Sequence, residues 1–445
     1  MKLKNKVIGI IGYSRTGKAA AEFVKARGGK VKISELSNSE ELKRELVVKG
    51  FDFELGKNSF EFLKDCDYII ISPGVPSESP FVLELENKGK IVISEIEFAS
   101  KFIKSKIIGI TGSNGKSTVT SMIYHILKVA GEKVTLAGNI GIPLIKYVEE
   151  NSDYFVVELS SFQLEKIVDF KPFISVLLNI TPDHLDRYKR FEDYAEAKFN
   201  LFKNQKSSDF AILNKDDDYI GKNKNRINAS KSFFSIDDRR ADVYCDKDII
   251  FFKDELILKS NEIPLLGVHN IENTMASVAV AKVIGLESKI IKEAIKSFKG
   301  LEHRTELCGE IDGVKFINDS KATNIDATYK ALMSFDSPLI LILGGKDKGG
   351  DFTKLNELIK SKVKKLILIG AAKEKIKKQL SEDIDYIEVE SMEEAVYRGF
   401  DFAEKGDIVI LSPACASFDM YENFEERGQD FKGIVKRLME EKKDG

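Results

Sequence analysis

Residues Lys106 to Gly131, KIIGITGSNGKSTVTSMIYHILKVAG, decide the fold. The apolar run from Ile107 reads as a buried strand. Gly112 and Gly115 let backbone N–H groups curl around a phosphate, and Lys116 adds a cation. Beyond them, Val119, Met122, Ile123, Ile126 and Val129 recur at three- and four-residue steps, which predicts a helix ended by Gly131. Strand, glycine loop and helix N-terminus together make an anion site, because loop amides and first-turn N–H groups point at one spot. Ser117 or Thr118 then offers a hydroxyl to a Mg²⁺ held by the phosphates. The general P-loop pattern has a glycine five residues before Gly115, where this chain has Ile110. A plain glycine turn is the alternative; nucleotide phosphate binding is the working expectation.

At 445 residues the chain exceeds one ordinary core, and two or three domains are expected. With a net charge of −2, nothing in the total argues for a nucleic-acid or membrane surface, so acidic ligands must be met by local lysines. Cys66, Cys245, Cys308 and Cys415 lie far apart without CxxC spacing, which suits free thiols in a reducing compartment. The N-terminus lacks the apolar core of a signal peptide, and no run approaches the ~20 apolar residues of a membrane helix, so a cytoplasmic location is expected.

Before the phosphate loop, VIGIIG, YSRTG, KAAAEFVKARGG and KVKISE read as strand, glycine turn, helix and strand, with Glu35 ending the second strand where an acid meets a ribose. The dinucleotide fingerprint fails at Ser14, between Gly12 and Gly17, so a plain turn or a site for another nucleotide competes with a redox cofactor. DYIIISPGVP ends a further strand in Ser72-Pro73-Gly74, at a sheet's carboxyl edge. This first domain is expected to close at residue 97.

The second domain, 98–301, continues with Gly138 to Pro143 and the strands YFVVELSSFQL and FISVLLNITPDHLDRY. Glu158 ends the first of these strands and His184 follows the second, and both suit a metal held between phosphates and substrate. Lys198, in FEDYAEAKFNLF, reads by itself as a surface lysine. Short strands over 209–265 suggest an antiparallel excursion. Asn270 and Asn273 share a helix face, as caps or as ligand donors. From residue 302 strands and helices alternate to the end, predicting a doubly wound sheet. Its strand ends carry Asp319-Ser320-Lys321, Gly344 to Gly349 and Ser412 to Ser417, and lysines repeated beside glycines point to one anionic cleft.

With these residues in view, the chain resembles the Mur ligases across three domains: TGSNGKST, NITPDHLDRY, Glu302-His303-Arg304, NDSKATN, GGKDKG and SPACASFDMYENFEERG carry the likeness. The resemblance implies an α/β protein with a Rossmann-like N-terminal domain (1–97), a P-loop ATPase domain (98–301) and a doubly wound C-terminal domain (302–445). SKATN and the last stretch favour the member type that joins D-glutamate to UDP-N-acetylmuramoyl-L-alanine using ATP, through an acyl phosphate. By motif, Gly112, Ser113, Asn114, Gly115, Lys116, Ser117 and Thr118 hold the ATP phosphates, with Asn270, Asn273, Arg304 and Asp319 as further ATP contacts. Ser117, Glu158, His184 and Lys198 are the implied ligands of two Mg²⁺, Lys198 as a CO₂-derived carbamate, which reverses its reading as a surface residue. Thr16, Glu35, Ser72, Pro73, Gly74 and Asn139 match positions around the UDP-sugar. Lys321, Thr323, Lys348, Ser417 and Phe424 match positions around D-glutamate. Catalysis falls to Lys116, His184, Lys198 and Lys321. The resemblance implies a cytoplasmic monomer in peptidoglycan precursor synthesis, with no nucleic-acid or membrane partner. Ser14 and Glu35 depart from the family, which commonly has glycine and aspartate there. A nucleotide-operated switch, a folylpolyglutamate synthetase and a dehydrogenase are the rival readings.

Overall fold

The structure is a computed structural model and describes residues 1–183, 187–265, 267–347, 349–381 and 383–444. Two compact units make up the chain: 1–263 with 271–298, and 264–270 with 299–445. The first holds two sheets and the second holds one.

Five parallel strands form the first sheet, in the spatial order Asp52–Leu55, Lys30–Glu35, Val7–Ile11, Tyr68–Ile71 and Val92–Ser94. Ile8, Ile10, Ile69 and Ile70 are wholly buried, as expected where helices cover both faces of a parallel sheet. Strand order reverses between Val7–Ile11 and Tyr68–Ile71, so Gly12 and Ser72 flank the crevice where such sheets take ligands.

In the second sheet, nine strands run Glu255–Lys259, Ile249–Phe252, Val243–Asp246, Ser230–Ser235, Phe210–Asn214, Ile174–Leu177, Lys106–Thr111, Tyr154–Glu158 and Val134–Gly138. The expected excursion over 209–265 is antiparallel only among the last three strands, from Val243 to Lys259; Phe210–Asn214 and Ser230–Ser235 extend the parallel sheet. The helix after the glycine loop is Lys116–Val129, and Val119, Met122, Ile123, Ile126 and Leu127 are buried. Val129 is 44% exposed, because a 3.6-residue period sets Leu127 beside Ile126 on the covered face and turns Val129 to its edge.

The two sheets of this unit are joined through the helix Glu95–Ser100. Glu97 is wholly buried: one carboxylate oxygen accepts from the backbone N–H groups of Val168, Asp169 and Phe170 at 3.0, 3.0 and 2.7 Å, and the other from Lys101 Nζ at 2.6 Å. Its charge is met by dipoles and a cation, the condition for burying a carboxylate. Across the same seam Lys166 pairs with Glu86 at 2.6 Å and Lys146 with Glu22 at 3.2 Å.

The second unit carries six strands, Glu306–Ile311, Val314–Asn318, Ile408–Leu411, Leu339–Gly344, Val363–Ile369 and Tyr386–Glu388. All pairings are parallel except the edge hairpin Glu306–Ile311/Val314–Asn318, whose Asp312-Gly313 turn takes positive φ at both residues. Alternation alone did not reveal its first strand, since polar edge positions lack an apolar run. Ile408–Leu411 inserts between Val314–Asn318 and Leu339–Gly344, which brings the loops after Asn318, Gly344 and Leu411 side by side. Among the described residues no helix is long and apolar enough to cross a membrane.

Candidate active site

In the first unit the site grows from the turn after Lys106–Thr111. Gly115 is the N-cap of the following helix, left-handed at φ +83°, and no side chain caps the turn. The first-turn amides of Lys116 to Thr118 are therefore presented for an anion, while the Ser113 and Asn114 N–H groups donate to Asn179. A Cβ on Gly115 would run into Asn273 Oδ1, so Asn273 stands against the loop. Lys116 Nζ donates to the carbonyls of Gly112 and Ser113 at 2.8 and 2.9 Å, and Lys198 Nζ donates to the same Gly112 carbonyl at 2.8 Å. Two amines thus converge on one oxygen. Asn114 is held by the side chain of Asn179, while Ser117 and Thr118 are buried at the first turn.

Lys198 is only 1% exposed and lies over the Tyr194 ring at 4.5 Å. Burial first, and the charge of Lys116 second, push its pKa well below the usual lysine range, with Asp183 and Glu158 acting the other way. The reading of Lys198 as a surface residue is overturned. Its helix, Phe191–Phe199, has an acidic first turn but buries Tyr194, Ala195, Ala197, Lys198 and Phe199.

Glu158 ends the neighbouring strand at 2% exposure. Asn139 Nδ2 donates to its Oε1 at 2.7 Å, whereas Oε2 is buried with no hydrogen-bond partner among the described residues. A buried carboxylate oxygen left this way suits a cation. No three His, Cys, Asp or Glu side chains of the described residues converge on a point. Glu158 and the Ser117 hydroxyl still offer oxygen donors of the kind that Mg²⁺ takes. His184 lies outside the described residues.

The first sheet's crevice is lined differently. Glu35 accepts from the backbone N–H groups of Tyr13 at 2.7 Å and Ser37 at 2.9 Å, and Ser72 Oγ donates to the Gly12 carbonyl at 2.6 Å. Thr16 sits half-buried in the first turn of the helix Arg15–Ala26. Pro73 offers its carbonyl to Arg187 Nη1 at 2.7 Å, and Gly74 is exposed.

In the second unit, Asp319 is buried, accepting from Ser412 Oγ at 2.9 Å and from the Thr305 N–H at 3.2 Å; burial pushes its pKa up to about 6. Arg304 is close enough to oppose that rise. Lys321 stands over the Phe424 ring at 5.7 Å, and both line an open hollow of about 490 Å³ with Glu302, His303, Glu425 and Gln429. Ser417 is buried in the loop after Ile408–Leu411, Thr323 is half-buried beside Lys321, and Lys348 lies outside the described residues. Asn270 belongs to this unit and Asn273 to the other, although one helix, Val268–Ile284, carries both.

Three side chains that spacing did not single out serve these loops. Arg427, 3% exposed, donates from Nε to Ser320 Oγ and from Nη2 to the carbonyls of Ser320 and Cys415, tying two strand-end loops together. Burial pushes its pKa down to about 10. Tyr194 shares a 2.9 Å hydrogen bond with Ser113 Oγ, and Arg187 reaches the Ser72–Val75 loop. Arg187 and Arg427 stand in NITPDHLDRY and FEERG, but their partners lie more than 100 residues away or across a loop.

Three family models match in series: "Mur ligase MurD-like, N-terminal domain" over 6–94, "Mur ligase middle domain" over 110–281 and "Mur ligase, glutamate ligase domain" over 303–415. Proteins named UDP-N-acetylmuramoylalanine–D-glutamate ligase are similar end to end. That of Koribacter versatilis is 41% identical, with 100% of both chains covered. That of Clostridioides difficile is 42% identical over 98% of this chain and 100% of its own. Among solved structures, a MurF ligase from Thermotoga maritima in complex with ADP matches with a TM-score of 0.62 at 16% identity, over 92% of this chain and 96% of its own. A pseudomurein peptide ligase from Methanothermus fervidus reaches a TM-score of 0.60 at 21% identity, over 98% and 100%.

Proposed function

The chain belongs to the Mur ligase family, and from that premise we propose how its residues join D-glutamate to UDP-N-acetylmuramoyl-L-alanine with ATP in peptidoglycan synthesis. One observation carries the reading: the amines of Lys116 and Lys198 meet at the Gly112 carbonyl, with the unpartnered oxygen of Glu158 within electrostatic reach of Lys198. A phosphate turn that carries the Lys116 cation beside one orphan carboxylate oxygen is what ATP with Mg²⁺ requires.

Residues 1–97 take the UDP-sugar, 98–301 the ATP phosphates, and 302–445 D-glutamate with part of the nucleotide. A carboxylate must be activated before an amine can displace its oxygen, so the alanine carboxylate attacks the γ-phosphate and the D-glutamate amine then expels phosphate from the acyl phosphate. The obstacle to the first step is repulsion between two anions. Lys116 and the Gly112 to Thr118 turn, through the first-turn amides of its helix, hold the phosphates against that repulsion. Ser117, Glu158, His184 and Lys198 as a carbamate would hold Mg²⁺, which supplies charge neutralisation at the transferring phosphoryl group. Lys198 suits carbamate formation because burial favours its neutral amine, the form whose lone pair adds CO₂ with loss of a proton. Asn270, Asn273, Arg304 and Asp319 contact the rest of ATP. Lys321, Thr323, Lys348, Ser417 and Phe424 surround D-glutamate; Lys321 and Phe424 already share one hollow. Thr16, Glu35, Ser72, Pro73, Gly74 and Asn139 take the UDP-sugar. The protein works as a cytoplasmic monomer.

Phosphate release measured with ATP, the UDP-sugar and each of several amino acids tests this. Release that depends on D-glutamate is expected. Release without any acceptor would favour a nucleotide-operated switch, and glutamyl transfer to a folate would move the chain to another branch.

A further inference from the structure

Arg187 has work that the reaction above does not use. Its side chain is 14% exposed, it lies 4.0 Å over the Phe162 ring, and it donates to three oxygens. Nη1 reaches the Pro73 carbonyl at 2.7 Å, while Nη2 reaches the Val75 carbonyl at 3.2 Å and Glu165 Oε2 at 2.9 Å. Two carbonyls of one loop therefore aim at a single cation from the other sheet of the same unit. Their dipoles repel each other unless that cation stays between them. A planar fork meets two carbonyls and a carboxylate at once, which an ammonium on a flexible stem does not.

The contacts continue beyond the fork. Tyr188 O–H donates to the other oxygen of Glu165 at 2.5 Å, Tyr188 meets Tyr194 edge-on at 5.4 Å, and Tyr194 O–H pairs with Ser113 Oγ in the phosphate loop. On its far side the Ser72–Val75 loop is fixed to the first glycine turn by Ser72 Oγ on the Gly12 carbonyl. Lys166–Glu86 and Lys146–Glu22 cross the same seam and touch neither loop.

We propose that Arg187 is a positioning residue for the sugar nucleotide. It holds the Ser72–Val75 loop in register with the phosphate loop, so that the UDP-sugar is bound with its carboxylate toward the γ-phosphate. The proposal rests on the reading of Ser72, Pro73 and Gly74 as sugar-nucleotide positions.

The test compares Arg187→Lys, Arg187→Met and Lys166→Met for Tm and for the KM of each of the three substrates. Arg187→Lys keeps a cation beside Glu165, so it should fold with a Tm lowered by no more than a few degrees yet raise the KM for the UDP-sugar about tenfold, the size of one lost charge-assisted hydrogen bond. Arg187→Met should raise it further; the KM for ATP and for D-glutamate should stay within about twofold, since no hydrogen bond to either is lost. Lys166→Met breaks a cross-seam ion pair and should leave all three KM values unchanged. An unchanged UDP-sugar KM in Arg187→Lys, an equal rise in Lys166→Met, or parallel rises for all substrates would overturn the assignment. If Arg187→Met does not fold, the split in Arg187→Lys decides. Should the wild-type protein lack D-glutamate-dependent phosphate release, the proposed function fails, and the calorimetric Kd of the UDP-sugar in the same variants still judges the clamp. No binding of the UDP-sugar at all would overturn both.

Discussion

Two strand–glycine turn–helix units in one compact body have been furnished in opposite ways. After Val7–Ile11 the turn is lined by a carboxylate: Glu35 accepts from the Tyr13 N–H, and Ser72 Oγ donates to the Gly12 carbonyl. After Lys106–Thr111 the turn is lined by amines, with Lys116 and Lys198 both on Gly112. Each turn contains a left-handed glycine, Gly12 at φ +86° and Gly115 at φ +83°, but at a different place: Gly12 directly follows its strand and Ser14 caps the helix, whereas Gly115 is itself the N-cap. A second difference lies in what surrounds them. A fixed negative charge repels bare phosphate and accepts hydrogen bonds from hydroxyl or imide N–H groups, while the Lys116 cation at a helix N-terminus attracts a polyphosphate. The glycine turn alone therefore does not say which part of a nucleotide it meets.

The contrast breaks most visibly at Lys198. Lys198→Ala should lower kcat on the order of 10³-fold, at least the loss from one preorganised electrostatic group, with partial recovery when short carboxylic acids are added. Full activity without additive would remove the carbamate from the site. Lys116→Ala comes next, with a loss of roughly 10²- to 10³-fold, about 3 to 4 kcal/mol of transition-state stabilisation, and near-normal turnover would undo the phosphate assignment. The glycines then separate the two turns. Gly115→Ala meets both a positive φ and Asn273, at a cost of about 1 to 3 kcal/mol, and should raise the KM for ATP. Gly17→Ala drives a Cβ into the Gly12 carbonyl, an overpacking of about 1 to 3 kcal/mol that should fall on the KM for the UDP-sugar instead. If both variants weakened the same substrate, the two turns would not be functionally distinct. The smallest effect is expected from Glu35→Gln, which keeps an acceptor but removes charge. About 1 kcal/mol, several-fold in UDP-sugar KM with ATP unaffected, is the expected reading.

Local periodicity made much of this visible in the sequence. Buried parallel strands announce themselves as apolar runs, and each glycine loop follows such a run directly. The edge strand Glu306–Ile311 escaped because a solvated edge has no such run, and the Asp312-Gly313 turn was its only local mark. Lys198 shows the other limit. Its helix opens with acidic residues that suggest a solvated face, and only packing against Tyr194 and Gly112 reveals that the amine is enclosed. Asn270 and Asn273, three apart and expected to share a helix face, both lie on the helix Val268–Ile284. Arg187 and Arg427 lie within the motifs NITPDHLDRY and FEERG, yet their roles depend on carbonyls 114 and 107 positions away. No spacing rule encodes a contact of that range.

Glu97 bears on how the protein can be divided. The sequence places a domain edge at this residue, yet its carboxylate accepts from three consecutive amides, those of Val168, Asp169 and Phe170. A recombinant ATPase fragment starting at residue 98 would leave those amides to whatever solvent reaches them, and each one that stays dry costs about 1 to 3 kcal/mol. Excision therefore belongs upstream of the helix Glu95–Ser100, so that the fragment carries its own anchor.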